Sequence, residues 1–214
     1  MGNLATIKPF KDVRIADEKG NITPEFQKYL DILYAALSGN LVTAGLVNGA
    51  GPRTVVTPKL LLESPAVSVW EFNDIPTWVT GFELNLDGAS LNGTDSLLVQ
   101  LATGGVYETT GYASASASIV DSASPAVDNS TAGFIIRHII ANNTLQGSSN
   151  FSLLNSTTNT WCAHGGFDRR ATNRSVTAGG SKSLAGVLSG VRLTVTGSNT
   201  GDAGTVGLIV TGKQ

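Results

Sequence analysis

Gly81-Phe82-Glu83-Leu84-Asn85-Leu86-Asp87-Gly88 alternates apolar and polar residues from Phe82 to Asp87 and then reaches a turn signal. That period is the signature of a strand with one face in a core and the other in water. Phe82, Leu84 and Leu86 share one face, and Glu83, Asn85 and Asp87 share the other. The same pattern recurs downstream. Val191, Leu193 and Val195 alternate with Arg192, Thr194 and Thr196, and Ala113, Ala115 and Ala117 alternate with Ser114, Ser116 and Ser118. Strands are expected over residues 54–62, 66–72, 78–86, 96–102, 112–120, 134–141, 150–154, 160–164, 183–188, 191–196 and 205–211. Asn73-Asp74, Asp87-Gly88, Asn92-Gly93, Gly104-Gly105 and Gly179-Gly180 read as turns between them. Short strands without interleaved helices predict a mostly β chain, an antiparallel β-sandwich of jelly-roll type. No repeat of solenoid length is visible.

The composition agrees. Charged residues are 14% of the 214, against roughly 25% in a typical soluble domain. Ser (20), Thr (23) and Gly (25) are abundant, which suits strands and tight turns better than a helical bundle. A folded monomer of this mass exposes about 9,300 Å². Its 30 charged side chains then cover the surface thinly, which points to burial against other subunits. A net charge of −2 argues against general nucleic-acid binding. No apolar run is long enough to span a bilayer, and residues 1–10 lack the apolar core of a signal peptide. The single cysteine, Cys162, excludes an intrachain disulfide, and two histidines give poor support to a zinc site.

Residues 1–40 differ in texture, with balanced charge and the one convincing helix signal. Thr23 is a good N-cap, Pro24 fits the first helical position, and Glu25 complements the helix dipole. Gly39 can close the helix at its C-terminal end. Phe26, Leu30, Leu33 and Leu37 have the 4-3-4 spacing of a coiled-coil seam. That helix either packs on its own domain or joins a short bundle of identical helices. Residues 1–40 are therefore read as an attachment segment, 41–64 as a linker with the first strand, and 65–214 as the β domain.

Charge is divided along the chain. From Glu63 to Asp128 there are nine acids and no base, whereas from Arg137 on there are seven bases and only Asp168 and Asp202. The two sets either pair inside the sandwich or meet between subunits around a ring.

Chemical sites are sparse. Glu83 and Asp87 sit four residues apart, about 13 Å along a strand, which is too far for a glycosidase pair without a bend. They read as solvated outward carboxylates. Cys162 and His164 share a strand face, but no orienting acid precedes Asp168, so Cys162 reads as a buried structural thiol. Asp168-Arg169-Arg170 in a Gly-rich stretch is the candidate surface-binding loop. It suits an anionic glycan, a phosphate or an intersubunit salt bridge. No motif calls for a cofactor or metal.

Two stretches resemble bacteriophage tail-fibre and virion structural proteins. One is Ser189-Gly190-Val191-Arg192-Leu193-Thr194-Val195-Thr196 followed by Asp202-Ala203-Gly204-Thr205-Val206. There, a strand with an Arg-Leu-Thr core precedes a short loop, Asp-Ala-Gly and a final strand. Gly111-Tyr112, Gly133-Phe134 and Thr160-Trp161 follow in the same order as in those domains, so the likeness runs from about Val79 onward. The chain departs at Gly201, where the family usually has an aromatic residue. The other is Ile15-x-Asp17-x-x-Gly20-x-x-Thr23-x-x-Phe26, similar to the attachment segment of phage tail components. The resemblance implies a homotrimer, anchored to other virion proteins by its N-terminal helix and displaying a β domain. It implies no catalytic residues. The expected function is a short tail fibre contacting a host surface glycan through loops such as 87–94 and 165–174. A capsid decoration protein is the alternative, and a polysaccharide-degrading enzyme is a more distant one.

Overall fold

The computed structural model describes residue 26, the backbone of 55–60, and residues 67–119, 124–138, 141, 143–169 and 174–212. The chain divides into two compact units, Met1–Ala50 and Gly51–Gln214. In the first, only Phe26 is described; it is helical and half-buried. Leu30, Leu33 and Leu37 lie outside the described residues.

The described part of the second unit is mostly β. Its strands are β1 (Val55–Leu60), β2 (Val69–Phe72), β3 (Val79–Leu91), β4 (Leu97–Thr103), β5 (Val106–Tyr107), β6 (Ala113–Ile119), β7 (Ala126–Ser130), β8 (Phe134–Ile136), β9 (Leu145–Asn155), β10 (Thr160–Arg169), β11 (Arg174–Ser183), β12 (Leu188–Val195) and β13 (Gly201–Gly212). One sheet has the order β1-β13-β3-β9-β10-β11-β6-β7. The other runs β2-β12-β4, with β5 and β8 sharing the free edge of β4. Every pairing is antiparallel.

The two sheets form a sandwich around one core. Phe82, Leu84 and Leu86 face inward, as their alternation predicts, with Val206, Leu208 and Val210 beside them from β13. Leu97, Val99 and Leu101 answer from the second sheet with Val191 and Leu193. An aromatic row crosses the gap. Phe82 stacks on Phe151 at 4.3 Å, and Phe151 meets Phe134 of β8 edge-on at 5.2 Å. Phe134 meets Tyr112 at 5.1 Å. The Tyr112 hydroxyl accepts from the Leu101 N–H and donates to the Glu108 carbonyl, which pins the turn into β6.

β6 reverses the usual arrangement. Its serines face inward and its alanines outward. Ser114 Oγ donates to the Gly179 carbonyl and accepts from Ile135 N–H; Ser116 Oγ donates to Thr177 and accepts from Arg137 N–H. β8 bonds to β4 on one edge, so these hydroxyls satisfy backbone donors along its other edge. A short strand is thereby fixed between two sheets without an orphaned amide.

Several expectations change. Asp87-Gly88 and Gly179-Gly180 are not turns between strands. Gly88 has φ 63° inside β3, where a bulge meets Gly204 at φ 84° in β13. A Cβ on Gly204 would run into the Gly88 carbonyl, which is the physical reason for glycine in Asp202-Ala203-Gly204. Gly180 lies within β11, where a Cβ would collide with the Ala113 carbonyl of β6. β10 continues through the glycines to Arg169, and residues 184–187 form a loop where a strand was expected. β7, with Asp128 and Asn129 in its middle, lacked any strand signal and forms as an edge through pairing with β6.

Ser114→Ala strips a partner from the buried Ile135 N–H, and is expected to cost about 1–3 kcal/mol. Ala115→Ser on the exposed face should change stability by less than about 0.5 kcal/mol. Urea unfolding of both variants checks the difference; equal losses would mean the serine face has no special role.

Candidate functional site

The ends of the sandwich differ. β3 starts and β13 finishes at the first end, near Val79 and Gly212; β3 finishes and β13 starts at the second, near Leu91 and Gly201. The two lie roughly 35 Å apart at 3.3 Å per residue.

At the second end, two loops lock together. Asn92 N–H donates to the Thr200 carbonyl, Asn92 Nδ2 donates to Thr200 Oγ1, and Thr200 N–H donates to Asn92 Oδ1. Asp95 N–H donates to Asn199 Oδ1, while Asn199 N–H donates to Asp95 Oδ2. Ser96 and Thr196 exchange a further pair. Both are short Asn-, Asp- and Ser/Thr-rich stretches, whose side chains mimic strand pairing where the backbone has left the sheet. The tip is thus held by reciprocal bonds over about 104 residues of sequence separation.

The residues of the expected binding loop lie at this end too. Asp168 and Arg169 are the last residues of β10, not loop residues. Asp168 is exposed on the outer face, whereas Arg169 points inward and is fully buried. Arg170 lies outside the described residues. Around Arg169 sits a buried polar group that the sequence did not reveal. His138 Nε2 donates to the Asn143 carbonyl at 2.7 Å, leaving Nδ1 without a partner. Both side-chain atoms of Asn143, Ser118 Oγ and Asp202 Oδ1 are likewise buried and unpartnered. These residues are scattered over five elements or loops, so no local pattern announces them. Burial pushes the His138 imidazole below its ordinary pKa; the Asn143 carbonyl opposes this, the Arg169 charge adds to it and Asp202 opposes it.

Three ion pairs match part of the divided charge internally. Arg137 pairs with Asp128, Lys182 with Glu108 at 2.6 Å, and Arg192 with Glu71 at 3.8 Å. Each joins a base from the late part of the chain to an acid from the early part. Burial alone would raise the Glu108 pKa, but hydrogen bonds from Lys182, Ala185 and Thr103 outweigh it and hold the carboxyl below its ordinary value.

Cys162 and His164 share the outer face of β10, as expected, but Cys162 is only half-buried, because its neighbours Trp161 and Ala163 take the inward positions. Glu83 and Asp87 also face outward. A pocket of about 270 Å³ opens at the first end, between Trp78, Trp161, Leu153 and Leu188. Among the described residues, no three His, Cys, Asp or Glu side chains are placed to hold a metal, and no helix is long and apolar enough to cross a membrane. Comparisons with protein-family models, curated proteins and solved structures gave no match.

His138 supplies a pH dependence. Its folded pKa lies below the unfolded value of about 6.5, so the unfolded chain binds the proton more tightly. Stability is complete above pH ~6.5 and falls as pH drops below it. The thermal midpoint should fall from pH 7.5 to 5.5 in the wild type and fall less in His138→Gln. His164, the other histidine, is exposed, and His164→Gln should leave the loss intact.

Proposed function

We propose that the protein is a bacteriophage virion structural protein, a short trimeric tail fibre. Its N-terminal segment docks on other virion proteins and its β unit contacts the host surface. The observation that carries this is the strand order. Taking β1, β2, β3, β4, β8, β9, β12 and β13 as eight successive strands, first pairs with last, second with seventh, third with sixth and fourth with fifth. The links β13·β3 and β12·β4 then fold this nested hairpin into two four-stranded sheets. That nesting supports a jelly-roll reading of the sandwich, an architecture common in viral structural domains. The segments β5–β7 and β10–β11 are insertions, and β10, β11, β6 and β7 extend one sheet past β9.

The outer face of that extension supports self-association. Ala113, Ala115, Ile119, Val127, Thr177 and Ser181 are exposed there, on strands that carry few ionised groups outward. The host-contacting part is the interlocked tip. β1 begins at Val55, at the first end, and the loops 92–96 and 196–200 stand at the opposite end of the strands. Their reciprocal bonds hold them ordered before any ligand arrives, which lowers the entropic cost of binding.

Light scattering of the purified protein should give a trimer, and quantitation of the intact particle a dozen or so copies. Hundreds of copies would favour the capsid decoration reading, and a monomer missing from particles would retire both. Within the seam proposed for Phe26, Leu30, Leu33 and Leu37, Leu33→Asp puts a costly charge at the contact. Its sedimentation should show smaller species or lost attachment; an unchanged, attached trimer would mean the helix packs only on its own chain.

A further inference from the structure

We propose that Arg169 forms the floor of a buried site for a small oxyanion, a carboxylate, phosphate or sulfate group, at the second end of the sandwich. This goes beyond the virion reading and stands whether or not that reading holds. The Arg169 side chain is fully buried, and Nε, Nη1 and Nη2 all lack a hydrogen-bond partner. A buried charge without a counter-charge is strongly unfavourable, and most groups avoid it by losing the charge. Arginine cannot, because its guanidinium stays protonated at any working pH.

The neighbouring charges deepen the deficit. Arg174 and Arg137 both act on Arg169 with like sign. Arg137 is matched by Asp128, and its Nε is still buried and unpartnered. Asp202 acts on His138 but is not among the groups that act on Arg169, and its buried Oδ1 is itself unpartnered. Positive potential therefore gathers at Arg169 without an acid on it. Neutral donors stand at the same end of the sandwich. Asn143 Nδ2 and Ser118 Oγ are buried and unused, and Ser118 lies in the row Phe167–Val176–Ser118, two residues along the sheet from the row of Arg169 and on the same face. A planar fork of guanidinium donors backed by amide and hydroxyl groups is the donor set that grips an oxyanion through two oxygens. Ordered water would satisfy the hydrogen bonds but would leave the charge unmatched.

Inorganic phosphate and sulfate are the probes. The full chain, dialysed into chloride, is titrated with each at constant ionic strength and pH 7, following the thermal midpoint. The wild type should show a saturable rise of roughly 5 °C. Arg169→Leu removes the charge and keeps an apolar side chain; it should show only the shallow, non-saturating salt effect that excluded ions have on any protein. Where that variant fails to fold, the wild type decides alone: inorganic phosphate should broaden in its 31P spectrum and sharpen again on adding sulfate. An anion retained through purification would appear as a phosphate or sulfate adduct in the native mass spectrum and would support the site. Equal responses in wild type and Arg169→Leu, or a wild type that answers sulfate and phosphate no more than chloride and carries no adduct, would overturn it.

Discussion

The contact between Phe82 and Phe151, and its continuation through Phe134 to Tyr112, is the constraint on which the sandwich rests. Its step from Phe151 to Phe134 is the place where β9 of the large sheet meets the short β8 of the small one. Most of its contribution is burial rather than ring geometry. Each large apolar side chain removed from water contributes about 1.5–3 kcal/mol, whereas the aromatic pairing itself adds about 0.5–1.5 kcal/mol. Ring geometry decides something else, namely the register in which the sheets face each other. β8 is only three residues long and could not hold that register through its ladder with β4 alone. The serines of β6 complete it from the far side.

Much of the β framework was legible in the sequence, for a simple reason. Where one face of a strand is dry and the other wet, period-two alternation is forced, as in Phe82 to Asp87 and Val191 to Thr196. Legibility failed where that asymmetry fails. β6 carries serine on the dry face and alanine on the wet one, because its inward hydroxyls have backbone partners waiting. Gly165, Gly179 and Gly180 resemble turn residues but lie in crowded strands where a neighbouring backbone leaves little room for a Cβ. β7 has no pattern of its own and exists by pairing.

The polar end of the molecule was less legible still. Asp168 and Arg169 stood out as charges among glycines, yet the local sequence could not say that one would face water and the other the interior. That follows from β10 running to Arg169, five residues past the end expected at His164. His138, Asn143 and Asp202 come together only because β8, β9 and β13 end at the same level. The division of acids and bases along the chain was visible from the start. Its meaning depends on strand order, which threads the late strands between the early ones and lets Lys182 find Glu108 and Arg192 find Glu71.

That threading also shapes how the molecule can form. Val55 pairs with Val210, and Val69 pairs with Thr194, so β1 and β2 have no ladder partner until well over a hundred further residues exist. Closing such long loops is an entropic hurdle met before the contacts can reward it, and chains dominated by distant pairings fold slowly. During synthesis the ribosome must release almost the whole β unit before its first strands can settle. The early apolar segments are therefore exposed longest, and their safety in that interval depends on neighbours in the nascent chain rather than on the finished sheet.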